Sequence, residues 1–195
     1  IVDRMYIGNI SVVGDVALAG VGVCGPVVTM VGSVAFLIGV GGAPLMSIKL
    51  GEKDEAGARR IMANCFLMLC VSSVALMAAI YPLARPMLLL FGASEATLPY
   101  AMAYFTTYLL GTPFALMATG LNQLIVCQGF ARAGMKSILL GAVLNIVLDP
   151  VFIFALDMGV RGGALATVLS QMASCAYAVW FLLFSRRAPV SITFG

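Results

Sequence analysis

What most limits the folds open to this chain is where it carries no charge. No Asp, Glu, Lys or Arg occurs from Val16 to Ile48, from Ile61 to Ala84, from Ala96 to Ala131, or from Gly162 to Ser185. A further stretch, Ser137 to Leu156, is interrupted only by Asp149. About 20 apolar residues are needed for a helix to cross ~30 Å of hydrocarbon. Five such stretches in one chain exceed any signal peptide or buried core helix, so they are read as membrane-spanning. With 62% hydrophobic and 10% charged residues, and a mean hydropathy of +1.08, too little polar material remains to cover a water-facing surface.

The placement of the basic residues gives an orientation. Lys49, Lys53, Arg59 and Arg60 follow the first long stretch, Arg132 and Lys136 follow the third, and Arg186 and Arg187 follow the fifth. The alternate connections hold only Arg85 and Arg161. Lys and Arg are retained in short cytoplasmic loops, so the loops at 49–60 and 128–136 and the C-terminal end are expected in the cytoplasm. No basic stripe with interleaved aromatics appears, which argues against a nucleic-acid partner. All five cysteines lie in apolar stretches without a CxxC pair, and the chain has no histidine, which excludes a Cys/His zinc site. They read as small buried hydrophobes.

Hydropathy and turn residues divide the chain into six expected helices: a partial one at roughly 1–10, then 15–48, 61–82, 96–127, 136–156 and 162–184. The first is too short to span and does not begin with Met, so it is read as truncated. The second exceeds the membrane thickness and must tilt, bend at Pro26 or Pro44, or project into water. Residues 49–60 read as a mixed-charge amphipathic connection, and Pro86 to Ser94 as a short apolar segment at the outer interface. Ala35, Gly39, Ala43 and Ser47 form a small-residue stripe, and Gly162, Gly163, Ala164 and Ala166 open the last helix, both read as close-packing faces. Gly20, Gly22 and Gly25 make a GxGxxG, yet neither a preceding strand nor an acid about twenty residues on is present, so helix packing is preferred to a dinucleotide site.

Two carboxylates lie within the apolar chain. Asp149 is deep in the fifth helix with Asn145 one turn earlier on the same face. Asp3 lies in the first helix. Ionisable groups in hydrocarbon are costly and tend to mark ion or proton pathways. The bland reading of Asp149 is a residue tied to backbone freed by Pro150. Polar partners are available on other helices: Tyr100, Tyr104, Tyr108, Asn122 and Gln123 on the fourth, and Thr167, Ser170, Gln171 and Ser174 on the sixth. For Gln123, Ser170 and Ser174 interhelical glue is preferred.

Several segments together resemble the N-terminal lobe of multidrug and toxic compound extrusion (MATE) transporters. They are Gly8-Asn-Ile, Ala17-Leu-Ala-Gly-Val-Gly-Val, Gly41-Gly-Ala-Pro-Leu, Phe91-Gly-Ala-Ser, Gly141-Ala-Val-Leu-Asn-Ile-Val-Leu-Asp-Pro and Gly159-Val-Arg-Gly-Gly-Ala-Leu-Ala-Thr. The fifth-helix Asn-x-x-x-Asp pair is similar to the DinF-like branch. The resemblance implies an all-α transmembrane fold: a six-helix bundle forming one lobe of a pseudo-symmetric twelve-helix transporter. It implies a non-enzymatic antiporter without cofactor, exchanging H⁺ or Na⁺ for a drug or other amphiphilic or cationic small molecule across the cytoplasmic membrane. Asp3, Asn145, Asp149 and Thr167 match the cation-coupling site, and Tyr104 and Asn122 the adjoining polar network. Two carboxylates close together in low dielectric cannot both stay ionised cheaply, so the pair can hold a proton. The same four residues supply oxygen donors, which suit Na⁺. H⁺ and Na⁺ both stay open. The implied partners are the bilayer, the drug and a C-terminal lobe beyond these residues, so the chain is expected to be a half-transporter fragment.

Three other readings rank below this one. A lipid-linked-precursor flippase of the same superfamily lines its cavity with basic residues, whereas these membrane stretches hold none apart from Arg4 near an end. An intramembrane aspartyl protease carries Tyr-Asp and Gly-x-Gly-Asp motifs, and neither occurs. A half-size transporter that dimerises would need a complete first helix. The orientation is testable by single-cysteine labelling in a background without native cysteines. Position 53 should resist an impermeant reagent in intact cells, and labelling there would overturn the charge-based topology.

Overall fold

A computed structural model describes residues 2–8 and 14–184, with side chains from Met5 onward within those ranges. Among the described residues there are seven α-helices and no strand: α1 (Val2–Gly8), α2 (Gly14–Gly51), α3 (Glu55–Leu90), α4 (Leu98–Leu110), α5 (Thr112–Cys127), α6 (Ala131–Pro150) and α7 (Gly159–Phe184). A single π-helical turn, Val151–Ala155, joins α6 to the last connection. Four of the helices are long and apolar enough to span a membrane, or five spans if the bent pair α4–α5 counts as one.

The boundaries differ from those expected at four places, each for a local reason. The connection expected at 49–60 shrinks to Glu52–Asp54. Lys53 takes a φ of 60°, and the Asp54 carboxylate accepts the Gly57 N–H at 2.9 Å, capping α3 from its first turn. That N–H, followed by Lys49 at 3.4 Å, holds the exposed Asp54 carboxyl below the usual carboxylate range. The helix expected at 61–82 and the segment expected from Pro86 run together as one helix, α3, which holds Pro82 and Pro86 inside it and ends at Leu90. Four residues apart, both rings sit on the exposed side, opposite Ala84 and Leu88, so the bonds they interrupt lie away from the packed face.

The helix expected at 96–127 is broken. Gly111 ends α4, its N–H bonding the Tyr108 carbonyl at 2.9 Å, and Pro113 at the second position of α5 cannot donate back. The two helices meet at 56°. The helix expected at 136–156 starts earlier, at Ala131, and gives way after Pro150 to the π turn. The wider i→i+5 ring is seen in the Leu156 N–H to Val151 carbonyl bond at 2.9 Å.

The chain forms two compact units. The first comprises Ile1–Val31, Ala75–Thr112 and Ala142–Ser170. Its core joins Ile7, Val21, Val27, Leu88, Phe105, Leu109 and Ile153, all essentially inaccessible. Gly20 lets α2 approach the main chain at Thr97, where a Cβ would stand 2.9 Å from a carbonyl oxygen. Of the GxGxxG, Gly20 thus serves helix packing, while Gly22 faces open space.

The second unit comprises Gly32–Val74, Pro113–Gly141 and Gln171–Gly195. Met46, Met62, Leu69, Leu121, Leu124 and Leu182 are fully buried there. Gly39 abuts Gly120 and Gln123, and Gly42 abuts Cys65, so α2 does present small residues to its neighbours. The buried line, however, runs Ala35, Gly39, Gly42, Met46 rather than Ala35, Gly39, Ala43, Ser47. A strict four-residue step advances about 40° too far per repeat on a 3.6-residue helix, so a straight face needs alternating steps of three and four. Ser137 and Ser174 bond reciprocally across α6 and α7, each hydroxyl donating to the other's carbonyl at 3.0 and 2.9 Å.

A close backbone approach between elements of the first unit is at Gly162 on α7. A Cβ there would lie 2.6 Å from the Phe152 carbonyl oxygen and 3.0 Å from the Ile153 nitrogen, both main-chain atoms of the π turn. Gly162→Ala should therefore lower stability by about 1–3 kcal/mol through forced separation of these segments. Gly22→Ala, with nothing within 4 Å, should cost nothing. Thermal unfolding of the two variants in detergent checks the contrast.

Candidate functional site

Asp149 is the only charged residue among the described ones that is fully buried. Its position follows from local chemistry. It is the penultimate residue of α6, on the last regular turn before Pro150 and the π turn widen the helix. Asn145 lies one turn earlier on the same face and donates from Nδ2 to Asp149 Oδ1 at 3.3 Å. The same amide nitrogen donates to Thr167 Oγ1 on α7, also at 3.3 Å. Thr167 in turn donates its hydroxyl to the Gly163 carbonyl at 3.0 Å, leaving its lone pairs toward Asn145. A chain results in which the Asn145 amide donates both ways, to the Asp149 carboxylate on one side and to the Thr167 hydroxyl on the other, which donates on to the Gly163 carbonyl.

The backbone around this chain is held by small residues and apolar stoppers. Gly163 stands against Ile7 of α1 and Ile153 of the π turn, where a Cβ would meet their side chains at 3.2 and 3.5 Å. Tyr6 of α1 meets Phe154 of the π turn edge-on, ring centroids 6.3 Å apart. Hence α1, the π turn and the start of α7 are mutual neighbours. Asp3 lies on α1, but its side chain falls outside the described residues.

Tyr104 belongs to the same unit, largely buried in its core and stacked on Tyr108 at 6.2 Å. Asn122 belongs to the second unit, where its buried Oδ1 has no hydrogen-bond partner and sits against Gly134 of α6. Of the six residues singled out, the structure therefore brings Asn145, Asp149 and Thr167 into one hydrogen-bonded chain and places Tyr104 in their unit. Among the residues read as glue, Ser174 does bridge helices, Gln123 packs on Gly39, and Ser170 bonds its own helix at the Ala166 carbonyl. Ser137, the partner of Ser174, was not legible as such, being one serine near a helix start. The Gly163 carbonyl was hidden because a backbone acceptor leaves no side-chain signature. Thr112, fully buried at the α4–α5 break, is missed by the sequence reading, where the only signal for it is the triplet Gly-Thr-Pro.

Chemically the arrangement offers a carboxylate shielded from solvent, with an amide donor directed at it. No group of three or more His, Cys, Asp or Glu residues able to hold a metal ion exists among the described residues.

A family model described as MatE matches residues 1–151. The chain is 28% identical over 193 residues to the Bacillus subtilis protein described as a probable multidrug resistance protein, YpnP, covering 98% of this chain and 42% of that one. It is 25% identical over 184 residues to a Shewanella oneidensis protein described as an FAD transporter, covering 91% and 40%. Among solved structures, an inward-facing multidrug resistance transporter of the MATE family matches with a TM-score of 0.93 and 27% identity, over 98% of this chain and 43% of that one. The chain thus spans about two fifths of the length of these relatives.

The hydrogen bond between Asn145 and Thr167 predicts energetic coupling. In a double-mutant cycle, Asn145→Ala and Thr167→Val should each destabilise modestly and be non-additive by about 0.6 kcal/mol, the usual worth of an interhelical polar contact in a membrane protein. Strict additivity in reversible unfolding would show that the two side chains do not interact.

Proposed function

This chain belongs to the MatE family, and from that membership we propose that it serves as one lobe of a cation-coupled antiporter that exports drugs or other amphiphilic small molecules. The relatives matched in sequence and structure are named as transporters or resistance proteins, not enzymes. The observation that carries the mechanism is the complete burial of Asp149 at the end of the Thr167–Asn145 chain. A carboxyl sealed from water changes charge only when a cation or proton reaches it, and that event must differ between transport states for a gradient to do work.

Both H⁺ and Na⁺ stand as the proposed coupling ion. Asn145 turns its N–H groups, not its carbonyl oxygen, toward Asp149 and Thr167. Donors stabilise the ionised carboxylate that would receive either cation. Asp3 on α1 is the proposed second carboxylate, and Tyr104 and Asn122 the proposed lining of the polar network. The loops at 49–60 and 128–136 are proposed to face the cytoplasm, with a second lobe completing the substrate path. The absence of Lys and Arg from the membrane stretches, Arg4 near an end apart, leaves a pyrophosphate-carrying lipid without a counter-charge.

The test is Asp149→Asn in a complete two-lobe transporter carrying this chain. The substitution keeps size and hydrogen-bonding capacity and removes the titratable charge. The variant should reach the membrane, bind drug with little change and lose gradient-driven efflux. A variant expressed at the wild-type level that still confers resistance and responds to an imposed pH or Na⁺ gradient would return Asp149 to a packing role beside Pro150.

A further inference from the structure

The break between α4 and α5 contains a polar group that the transport chemistry leaves unused. Elsewhere in the helices, Thr29, Thr106, Thr107 and Thr167 each donate a hydroxyl to the carbonyl four residues back, at 2.7–3.0 Å. That bond is how threonine is satisfied in apolar surroundings. Thr112 makes none. The carbonyl four residues back, on Tyr108, accepts the Gly111 N–H instead, and the chain turns away by 56°. Yet Thr112 is 0% exposed and its Oγ1 has no hydrogen bond to the protein. A buried hydroxyl without a partner is strongly disfavoured and points to a ligand.

The electrostatics of the break decide which ligand. The last carbonyls of α4, ending at Leu110, carry partial negative charge, and the first N–H of α5, on Thr112 itself, carries partial positive charge. A cation is favoured by the first and opposed by the second, and an anion the reverse. A small neutral molecule that both donates and accepts suits both ends, as does the amphoteric hydroxyl beside them. We propose that the α4–α5 break is a binding site for one ordered water molecule, held by the Thr112 hydroxyl and the terminal carbonyls of α4. Broken membrane helices stay stable where such waters satisfy the freed backbone. Gly111 sets the place of the site, because a Cβ there would fall 2.5 Å from Val168 of α7. The water thus lies in the segment that abuts α7 next to Thr167.

Radiolytic hydroxyl labelling with mass spectrometry tests this in the complete transporter, since a bound water generates radicals at residues bulk solvent does not reach. The segment 108–113 should label in the wild type although Leu109 and Thr112 are fully buried. Thr112→Ser should keep the labelling, whereas Thr112→Val should reduce it several-fold and lower the melting temperature by a few degrees. The proposal is overturned if the wild-type segment stays unlabelled, or if Thr112→Val leaves the labelling unchanged. It is equally overturned if valine raises the melting temperature, which would mean a dry hydroxyl relieved by its removal. Labelling that is displaced by Na⁺ would also sink it, because a cation would then be the occupant. Should Thr112→Val fail to fold, the wild-type and Thr112→Ser labelling still decide.

Discussion

Hydrocarbon offers no hydrogen bonds, and every feature of this molecule follows from having to satisfy its own backbone. Only helices do so within a single segment, which is why a chain with 10% charged residues becomes helical over most of its described length. The same constraint makes each departure from regular helix informative. Among the described residues they are the capped turn at Glu52–Asp54, the connection at 91–97, the break at Gly111, the turn at 128–130, the π turn after Pro150 and the Gly159 start of α7 with its φ of 54°. Two of these, the π turn and the opening of α7, frame the buried carboxylate. Irregular backbone is tolerated here where it positions chemistry.

Much of this was legible in the sequence, because the signals involved are long or chemically isolated. Charge-free runs of about twenty residues cannot be mistaken for anything soluble, and an aspartate inside one is conspicuous. The Asn145–Asp149 spacing gives a shared helical face, and the family resemblance supplied Thr167 as the partner on α7. The structure realises this in two hydrogen bonds of 3.3 Å.

What the sequence obscured was where prolines act. Pro82 and Pro86 read as stops but sit on an exposed face that tolerates them, so α3 continues to Leu90. Pro113 lies inside an unbroken apolar run, yet it stands two residues after Gly111 where the helix breaks. The difference is whether the neighbouring residues leave room for an uninterrupted path: Gly111 is wedged against Val168, whereas the prolines of α3 face outward. That information lies in other helices. Asn122 was likewise grouped with the carboxylate by resemblance, whereas compactness assigns it to the second unit. Asp54, by contrast, announced nothing in sequence beyond a charge, and its role as a helix cap emerges only from its 2.9 Å bond to the Gly57 N–H.

The contact between Gly162 and the π turn is made by main-chain atoms on both sides. Distances set by side chains drift whenever those side chains are exchanged, but a backbone-to-backbone contact is indifferent to the identity of every residue except the glycine itself. The outward faces of α6 and α7 can therefore be rewritten to suit bilayers of different thickness or composition while the carboxylate keeps its distance from the threonine. Adaptation of the outer surface and preservation of the inner chemistry are, in this fold, mechanically separate problems.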